Sequence, residues 1–229
     1  RDLHSFPTRR SSDLYSSGVL AGHHRPSDIV IHPPVWYAEN GVSLRTGVRI
    51  EQIDLARKTV TAGGEIVEPY DSLVLATGSR PLLPPIDGLS TEGGGLKGGV
   101  FLFRTLEDCE RIAAYARNAR RAAVIGGGLL GIEAARGLLG HGLEVHIIHL
   151  AAHLMEAQLD PGAAAVLFRQ LEQMGLRIAA GTVTTAVLGN GHASGLAFRN
   201  GPNLECDLVV VAADRKSTRL NSSHQFISR

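Results

Sequence analysis

The sequence has little cysteine and no long hydrophobic run. Its 229 residues include only Cys109 and Cys206, which lie far apart and form no C-x-x-C or C-x4-C pair. This spacing excludes a redox-active disulfide, an iron–sulfur cluster and a zinc site from this stretch of sequence, and we expect both thiols to be buried as small apolar side chains. No run approaches the roughly 18 apolar residues of a membrane span, so no membrane association is predicted.

Metal ligands and a nucleic-acid surface are also lacking. Three histidines, His23, His24 and His32, have no cysteine or carboxylate at ligand spacing, so we expect solvated or hydrogen-bonded side chains and no metal site. The formal net charge of +1 includes +1 from residues 1–14 and +3 from residues 214–229, so residues 15–213 carry −3. This balance predicts no nucleic-acid partner.

The two ends differ in composition from the rest of the chain. Residues 1–14 and 214–229 are rich in Ser and Arg and show no apolar periodicity. Both resemble translated sequencing-adapter sequence, and we expect them to be foreign to the gene. A transit peptide would avoid acidic residues, whereas Asp2 and Asp13 are present.

The most informative stretch runs from Ala122 to His149. A short apolar run predicts a strand, an amphipathic pattern from Leu129 to Leu139 predicts a helix, and Val145 to Ile148 predicts a second strand. Between strand and helix lie Gly126, Gly128 and Gly131 at G-x-G-x-x-G spacing. In a dinucleotide-binding unit these glycines permit the turn, let the backbone approach a pyrophosphate, and allow close helix–strand packing.

The remaining pattern predicts an α/β fold. Residues 42–67 alternate apolar and polar side chains and predict a small β-meander. Ser72 to Ala76 reads as a buried strand that ends at Thr77 and Gly78, where open α/β sheets bind ligands. Further predicted elements are a strand at 101–103, a helix at 106–118 with Thr105 as N-cap, a helix at 162–174, a strand at 176–179, a hairpin at 183–198 and a closing strand at 204–213.

The motif YDSLVLATGSRP (residues 70–81), followed by the glycine-rich unit, resembles the pyridine-nucleotide-dependent flavoprotein reductases. The stretches DIVIHPPVWYAENGVSL, RTLEDCERI, VIGGGLLGIEAARGL and HLAAHLMEAQLD are similar to the N-terminal flavoprotein region of siroheme-dependent NAD(P)H nitrite reductase large subunits. The resemblance covers residues 15–213. It implies two Rossmann-like three-layer domains, an incomplete FAD-binding domain at 15–99 and an inserted NAD(P)-binding domain at 100–213, which ends with the start of a return to the FAD domain.

The same resemblance implies the cofactors and their contacts. Hydride would pass from NAD(P)H to FAD and electrons onward to a downstream siroheme and iron–sulfur centre, which reduces nitrite to ammonia. The family's first FAD strand and its closing motif are missing from this sequence, which we interpret as an internal fragment of a cytoplasmic protein; a homodimer is left open. No catalytic side chain is predicted. The implied contacts are Val48, Ala76, Thr77 and Gly78 with FAD, and Gly126, Gly128, Gly131 and Glu133 with NAD(P)H.

Two alternatives stay open at this point. One is a stand-alone ferredoxin- or rubredoxin-type reductase of the same fold, and the other is a nucleotide-binding module without turnover. A disulfide reductase is disfavoured, because its paired cysteines are absent from this sequence.

Coenzyme choice depends on the residue that ends the second strand. An acidic residue there usually binds the ribose 2′-hydroxyl, about 20 residues into the unit. That position is His149, followed by Leu150, Ala151 and Ala152, and His153 adds at most a partial charge. The sequence therefore predicts weak discrimination between NADH and NADPH, leaning to NADH.

Overall fold

The computed structural model describes residues 18–30, 32–64, 66–77 and 83–212. The chain divides into two compact units, one with the described residues between 26 and 79 and one with those of 12–25 and 80–216. The sequence placed the boundary after residue 99. Both predicted foreign tails lie outside the described residues, and the assignment of the units to FAD and NAD(P) stays a prediction.

The first unit contains the predicted β-meander. Three antiparallel strands pair in the order β1-β2-β3, and Val60 and Ala62 on the central strand are buried. A salt bridge of 2.5 Å joins Arg45 to Glu68 on β3. The elements are a 3-10 helix Pro26–Ile29, α1 Pro34–Glu39, β1 Ile50–Asp54, β2 Thr59–Ala62 and β3 Ile66–Pro69.

The predicted strand at residues 72–76 is wrong. The chain is irregular from residue 70 to 77, and no described strand pairs with it. Val74 is 72% exposed and Leu75 is 50% exposed. A buried parallel strand needs a neighbour on each side for its N–H and C=O groups, and the described residues of this unit provide none.

The second unit is built on a five-stranded parallel sheet in the order β4-β11-β5-β6-β7, with a separate antiparallel sheet β10-β9-β8. The predicted helices and strands are present within two residues at most ends, and the predicted closing strand is divided at Cys206 and Asp207. The elements are β4 Val100–Leu102, α2 Leu106–Ala116, β5 Arg121–Ile125, α3 Leu129–Leu139, β6 Glu144–Ile148, α4 Pro161–Gln173, β7 Arg177–Ala179, β8 Thr184–Leu188, β9 Gly195–Phe198, β10 Leu204–Glu205 and β11 Leu208–Val211.

The topology arranges this unit in three layers. From β4 to β7 the connections advance in one direction across the sheet, so right-handed crossovers place α2, α3 and α4 on the same face. The antiparallel sheet, which lies between β7 and β11 in the chain, covers the other face. One cluster of buried side chains joins the two sheets, including Ala123, Ile125, Val209, Val211, Val187 and Leu196.

Small residues let α3 approach the sheet closely. Gly131, Ala134 and Ala135 are buried on this helix. Near its C-terminal end, a Cβ at Gly137 would lie 2.8 Å from Leu20 Cγ, because the Leu20 side chain packs against the helix there. The close approach fixes the start of α3 at the carboxyl end of β5, where ligands of open α/β sheets bind.

Candidate functional site

Of the three motif glycines at the junction of β5 and α3, the fold itself requires Gly126 and Gly131. Gly126 has φ of 126°, a conformation that side chains disfavour, and its N–H donates to the Ile148 carbonyl of β6 at 2.9 Å. At Gly131, a Cβ would overlap the Gly126 carbonyl oxygen. These two positions confirm the roles that the spacing predicts for turn and packing.

The fold does not require glycine at the remaining motif position, Gly128. Gly128 has φ of −79° and ψ of −178°, which any residue adopts, and a Cβ there would meet no protein atom within 4 Å. The first helical hydrogen bond runs from the Ile132 N–H to the Gly128 carbonyl at 3.0 Å. The space in front of Gly128 is therefore open to a group that approaches the backbone closely.

The three long helices of this unit, α2, α3 and α4, differ in how their first N–H groups are capped. Thr105 and Asp108 cap α2 reciprocally at 3.0 and 3.1 Å, and the Asp160 carboxylate accepts the Ala163 N–H at the start of α4 at 2.9 Å. At α3 the N-cap is Gly128, with no side-chain cap and no acidic residue in the first turn. Its first N–H groups lack intrahelical acceptors and carry the positive end of the dipole, an arrangement that suits a pyrophosphate.

A buried histidine ends β6 beside this turn. His149 is 8% exposed, and its Nδ1 accepts the Gly127 N–H at 3.0 Å. Because a backbone N–H only donates, the imidazole proton is on Nε2, which donates to Glu156 Oε2 at 2.9 Å. The His149 N–H donates to the Ala179 carbonyl, and the His149 carbonyl accepts the Thr182 N–H, each at 2.9 Å. These two bonds fix the backbone from which the imidazole ring projects.

The loop after β6 also holds the glycine turn. The Met155 N–H donates to the Gly127 carbonyl at 3.0 Å, so both backbone groups of Gly127 are bonded to this loop. Met155 has φ of 54°, unusual for a side chain other than glycine, and its carbonyl accepts from Gln158 and Leu159 at 2.8 and 2.9 Å. Leu154, the preceding residue, is 1% exposed, and its Cδ2 would lie 2.5 Å from a Cβ at Gly127.

Glu156 is the residue that sequence reasoning missed. Partial burial raises the pKa of its carboxyl group, but hydrogen bonds from its own backbone and from His149 outweigh this and lower the pKa below its ordinary value. The carboxylate is therefore ionised at neutral pH. Although position 149 itself is not acidic, the loop after β6 folds back and brings the Glu156 carboxylate to 2.9 Å from His149 Nε2, and no motif spacing in the sequence predicts this return.

The structure brings only part of the predicted site together. Glu133 lies half-buried on α3, on the same helix as the glycine turn. Val48 lies half-buried in the segment before β1, Ala76 and Thr77 are exposed in the irregular segment, and Gly78 is outside the described residues. The described residues fit a nucleotide pyrophosphate at α3, whereas those of the first unit do not form an FAD cradle.

Both cysteines are buried, and the Cys109 Sγ–H donates to the Thr105 carbonyl. Burial, with the neighbouring Asp207 charge, raises the pKa of the Cys206 thiol to about 12. Among the described residues, no group of three or more His, Cys, Asp or Glu is placed to hold a metal ion. Within the same ranges, no helix has the length and apolar character needed to cross a membrane.

Relatives with similar sequences include proteins named nitrite reductase and a nitrate reductase electron transfer subunit. The chain is 41% identical over 207 residues to the nitrite reductase [NAD(P)H] of Bacillus subtilis, covering 90% of this chain and 25% of that protein. It is 40% identical over 212 residues to an assimilatory nitrate reductase electron transfer subunit of the same organism, covering 93% and 27%. The Escherichia coli nitrite reductase (NADH) large subunit is 35% identical, covering 83% and 22%. The chain thus spans about a quarter of these relatives.

Solved structures show the same fold. A ferredoxin reductase of Rhodopseudomonas palustris superposes with a TM-score of 0.78 at 26% identity, over 87% of this chain and 48% of that one. The reductase in a covalent putidaredoxin reductase–putidaredoxin complex gives a TM-score of 0.78 at 27% identity, with the same coverage. A family match spans residues 13–225, and the chain belongs to the pyridine nucleotide-disulphide oxidoreductase family.

Proposed function

We propose that this chain is the nucleotide-binding portion of an FAD-dependent NAD(P)H oxidoreductase that reduces nitrite to ammonia at a downstream siroheme and iron–sulfur centre. Members of the family are oxidoreductases that bind FAD and NAD(P)H. NAD(P)H, when bound, supplies a hydride. The observation that carries the proposal is the start of α3, where an uncapped helix meets open space at Gly128.

Different residues of the second unit contact the nucleotide and shape the turn that binds it. The N–H groups at the start of α3 hold the pyrophosphate, and the open face of Gly128 admits it. Gly126 and Gly131 shape the turn, and His149 with Met155 holds Gly127 in place. The described residues of the first unit present no such arrangement, so no part of the reaction is assigned to Ala76 or Thr77.

Nitrite as the final substrate rests on the relatives. Three proteins named nitrite reductase are 35–41% identical to this chain, covering 78–90% of it. The intact gene product should consume nitrite and release ammonia at the expense of NADH or NADPH. Oxidation of nucleotide without loss of nitrite, in a protein with its siroheme and cluster loaded, would contradict this assignment.

A rubredoxin-type reductase is the second candidate. Rubredoxin-NAD(+) reductase of Pseudomonas putida is 29% identical over 86% of this chain, which covers half of that protein. The length and cysteine content of the intact gene product would distinguish the two candidate functions. Several hundred further residues with clustered cysteines would support the nitrite reductase, whereas a chain of reductase length that reduces rubredoxin or ferredoxin would support the alternative.

A further inference from the structure

The end of β6 carries a carboxylate that comes from outside the strand. His149 occupies the position where an acidic residue usually binds the ribose 2′-hydroxyl of NADH. The Glu156 carboxylate lies 2.9 Å from His149 Nε2 and is about half exposed. We propose, on the basis of the proposed nucleotide site, that Glu156 is the specificity-determining residue that favours NADH over NADPH, and that His149 is its positioning residue.

The position of the Glu156 carboxylate depends on a chain of two hydrogen bonds through His149. The Gly127 N–H donates to His149 Nδ1, and His149 Nε2–H donates to Glu156. Both ring nitrogens are used, so the imidazole can neither flip nor change tautomer without losing a bond. These hydrogen bonds connect the turn that precedes Gly128 to the Glu156 carboxylate. In addition, β5 and β6 are parallel neighbours, with Ile125 opposite Ile148. The carboxylate is thereby held at the same sheet edge as the open face of the turn.

NADH and NADPH differ in the group at the ribose 2′ position, and a carboxylate at this sheet edge interacts differently with each. A carboxylate accepts hydrogen bonds from ribose hydroxyls, whereas it repels a 2′-phosphate that carries nearly two negative charges. Residues 149–160 contain no Lys or Arg to offset that repulsion. The NADH-favouring charge that the sequence lacks at position 149 is present at position 156, so NADH should bind about ten-fold more tightly than NADPH.

The test measures dissociation constants of NADH and NADPH for the 229-residue chain and for Glu156→Gln by isothermal titration calorimetry. Gln keeps an oxygen that accepts the His149 Nε2–H, so the charge is removed while the hydrogen bond remains. We expect the ten-fold preference to fall to within about two-fold, mainly through tighter NADPH binding. Glu172→Gln, on the exposed side of α4, is the matched control and should keep the wild-type ratio.

Two further variants keep the result decisive if Glu156→Gln folds poorly. Glu156→Asp retains the charge and should retain a preference for NADH, whereas Glu156→Lys should reverse it. A wild-type chain that binds both coenzymes equally, or a Glu156→Gln chain with an unchanged ratio, would overturn the inference and leave the nucleotide site intact. A folded wild-type chain that binds neither coenzyme would overturn the proposed function, and this inference with it.

Discussion

Gly128 and Gly131 are three residues apart at the start of one helix, but a side chain would have opposite effects at the two positions. At Gly131 a Cβ overlaps the Gly126 carbonyl, so the requirement for glycine comes from the protein itself. At Gly128 a Cβ meets nothing, and the backbone angles suit any residue. The fold thus places no requirement for glycine at position 128, and we propose that the requirement there comes from a bound nucleotide.

Gly128→Val should weaken NAD(P)H binding by ten-fold or more, about 1.4 kcal/mol at least, because its branched side chain would occupy the pyrophosphate space. Its unfolding temperature should fall less than that of Gly131→Ala, since a Cβ at position 128 meets no protein atom within 4 Å and the main cost is a poorer N-cap residue. Fluorescence titration with NADH measures the affinity. Gly131→Ala is the contrasting variant and should lower the unfolding temperature; an unchanged dissociation constant for Gly128→Val would contradict the site.

The thiols allow a separate prediction at this scale. Because burial raises the pKa of the Cys206 thiol to about 12, the thiol is almost entirely protonated at pH 8, and the thiolate is the reactive form. Cys109 is fully buried. Ellman's reagent should therefore modify neither thiol within minutes in the folded chain and both in denaturant. Rapid modification of either thiol without denaturant would disprove the buried placement.

Glu156 shows where residue-level prediction from sequence stops. The three glycines were found because their spacing is local and each has a physical task within one turn. The carboxylate reaches His149 only after the chain has passed Met155 in an unusual left-handed conformation, held by bonds to Gly127, Gln158 and Leu159. Such a return depends on tertiary hydrogen bonds that no spacing rule contains.

Helix starts provide the comparison at the level of elements. In the same unit, a side chain at the start of α2 and of α4 accepts a hydrogen bond from one of the first N–H groups, whereas α3 has no side-chain cap. Thr105→Ala removes an acceptor from the start of α2 and should cost about 1 kcal/mol of stability. Urea unfolding followed by circular dichroism measures the loss.

The control for this variant is nucleotide affinity. Thr105 lies at the start of α2, whereas the glycine turn belongs to α3, so NADH should bind Thr105→Ala as tightly as it binds the wild type under native conditions. If Thr105→Ala keeps full stability, the capping interaction contributes nothing.

Strand prediction succeeded for β5 and β6 and failed for residues 72–76, although all three are short apolar runs. Ile125 and Ile148 lie in strands that have neighbours within the same unit, and a helix joins those strands. Leu73 to Ala76 has the same composition but no partner strand among the described residues. An apolar composition indicates that a segment could be a buried strand. Whether the strand forms depends on adjacent strands that pair with its backbone.

This difference should be visible in hydrogen exchange. Amides of residues 73–77 should exchange within seconds at neutral pH, whereas those of β5 should be protected by their bonds to β6 and β11. Exchange read out by mass spectrometry of peptic peptides distinguishes the two segments. Protection of residues 73–77 comparable to that of β5 would mean that the segment is a paired strand after all.

For the molecule as a whole, the two units differ in what they bury. The second unit has helices, a parallel sheet and a small antiparallel sheet around a continuous core. The described part of the first unit buries Val60 and Ala62 in its meander and exposes Ile50, Ile53, Val67 and Val74 by more than a third of their surface. Apolar surface of this kind promotes association with other chains.

The 229-residue polypeptide should accordingly purify without colour, tend to aggregate, and retain at most NAD(P)H binding. FAD needs a pyrophosphate cradle like that of α3, but in the first unit Thr77 lies in an exposed irregular segment. Visible absorbance after incubation with excess FAD and desalting measures retention, and NADH titration of the same sample serves as the positive control. Recovery of flavin at one equivalent per chain would show that the first unit forms a complete FAD site, and both the fragment interpretation and the irregular structure of residues 72–76 would then have to be abandoned.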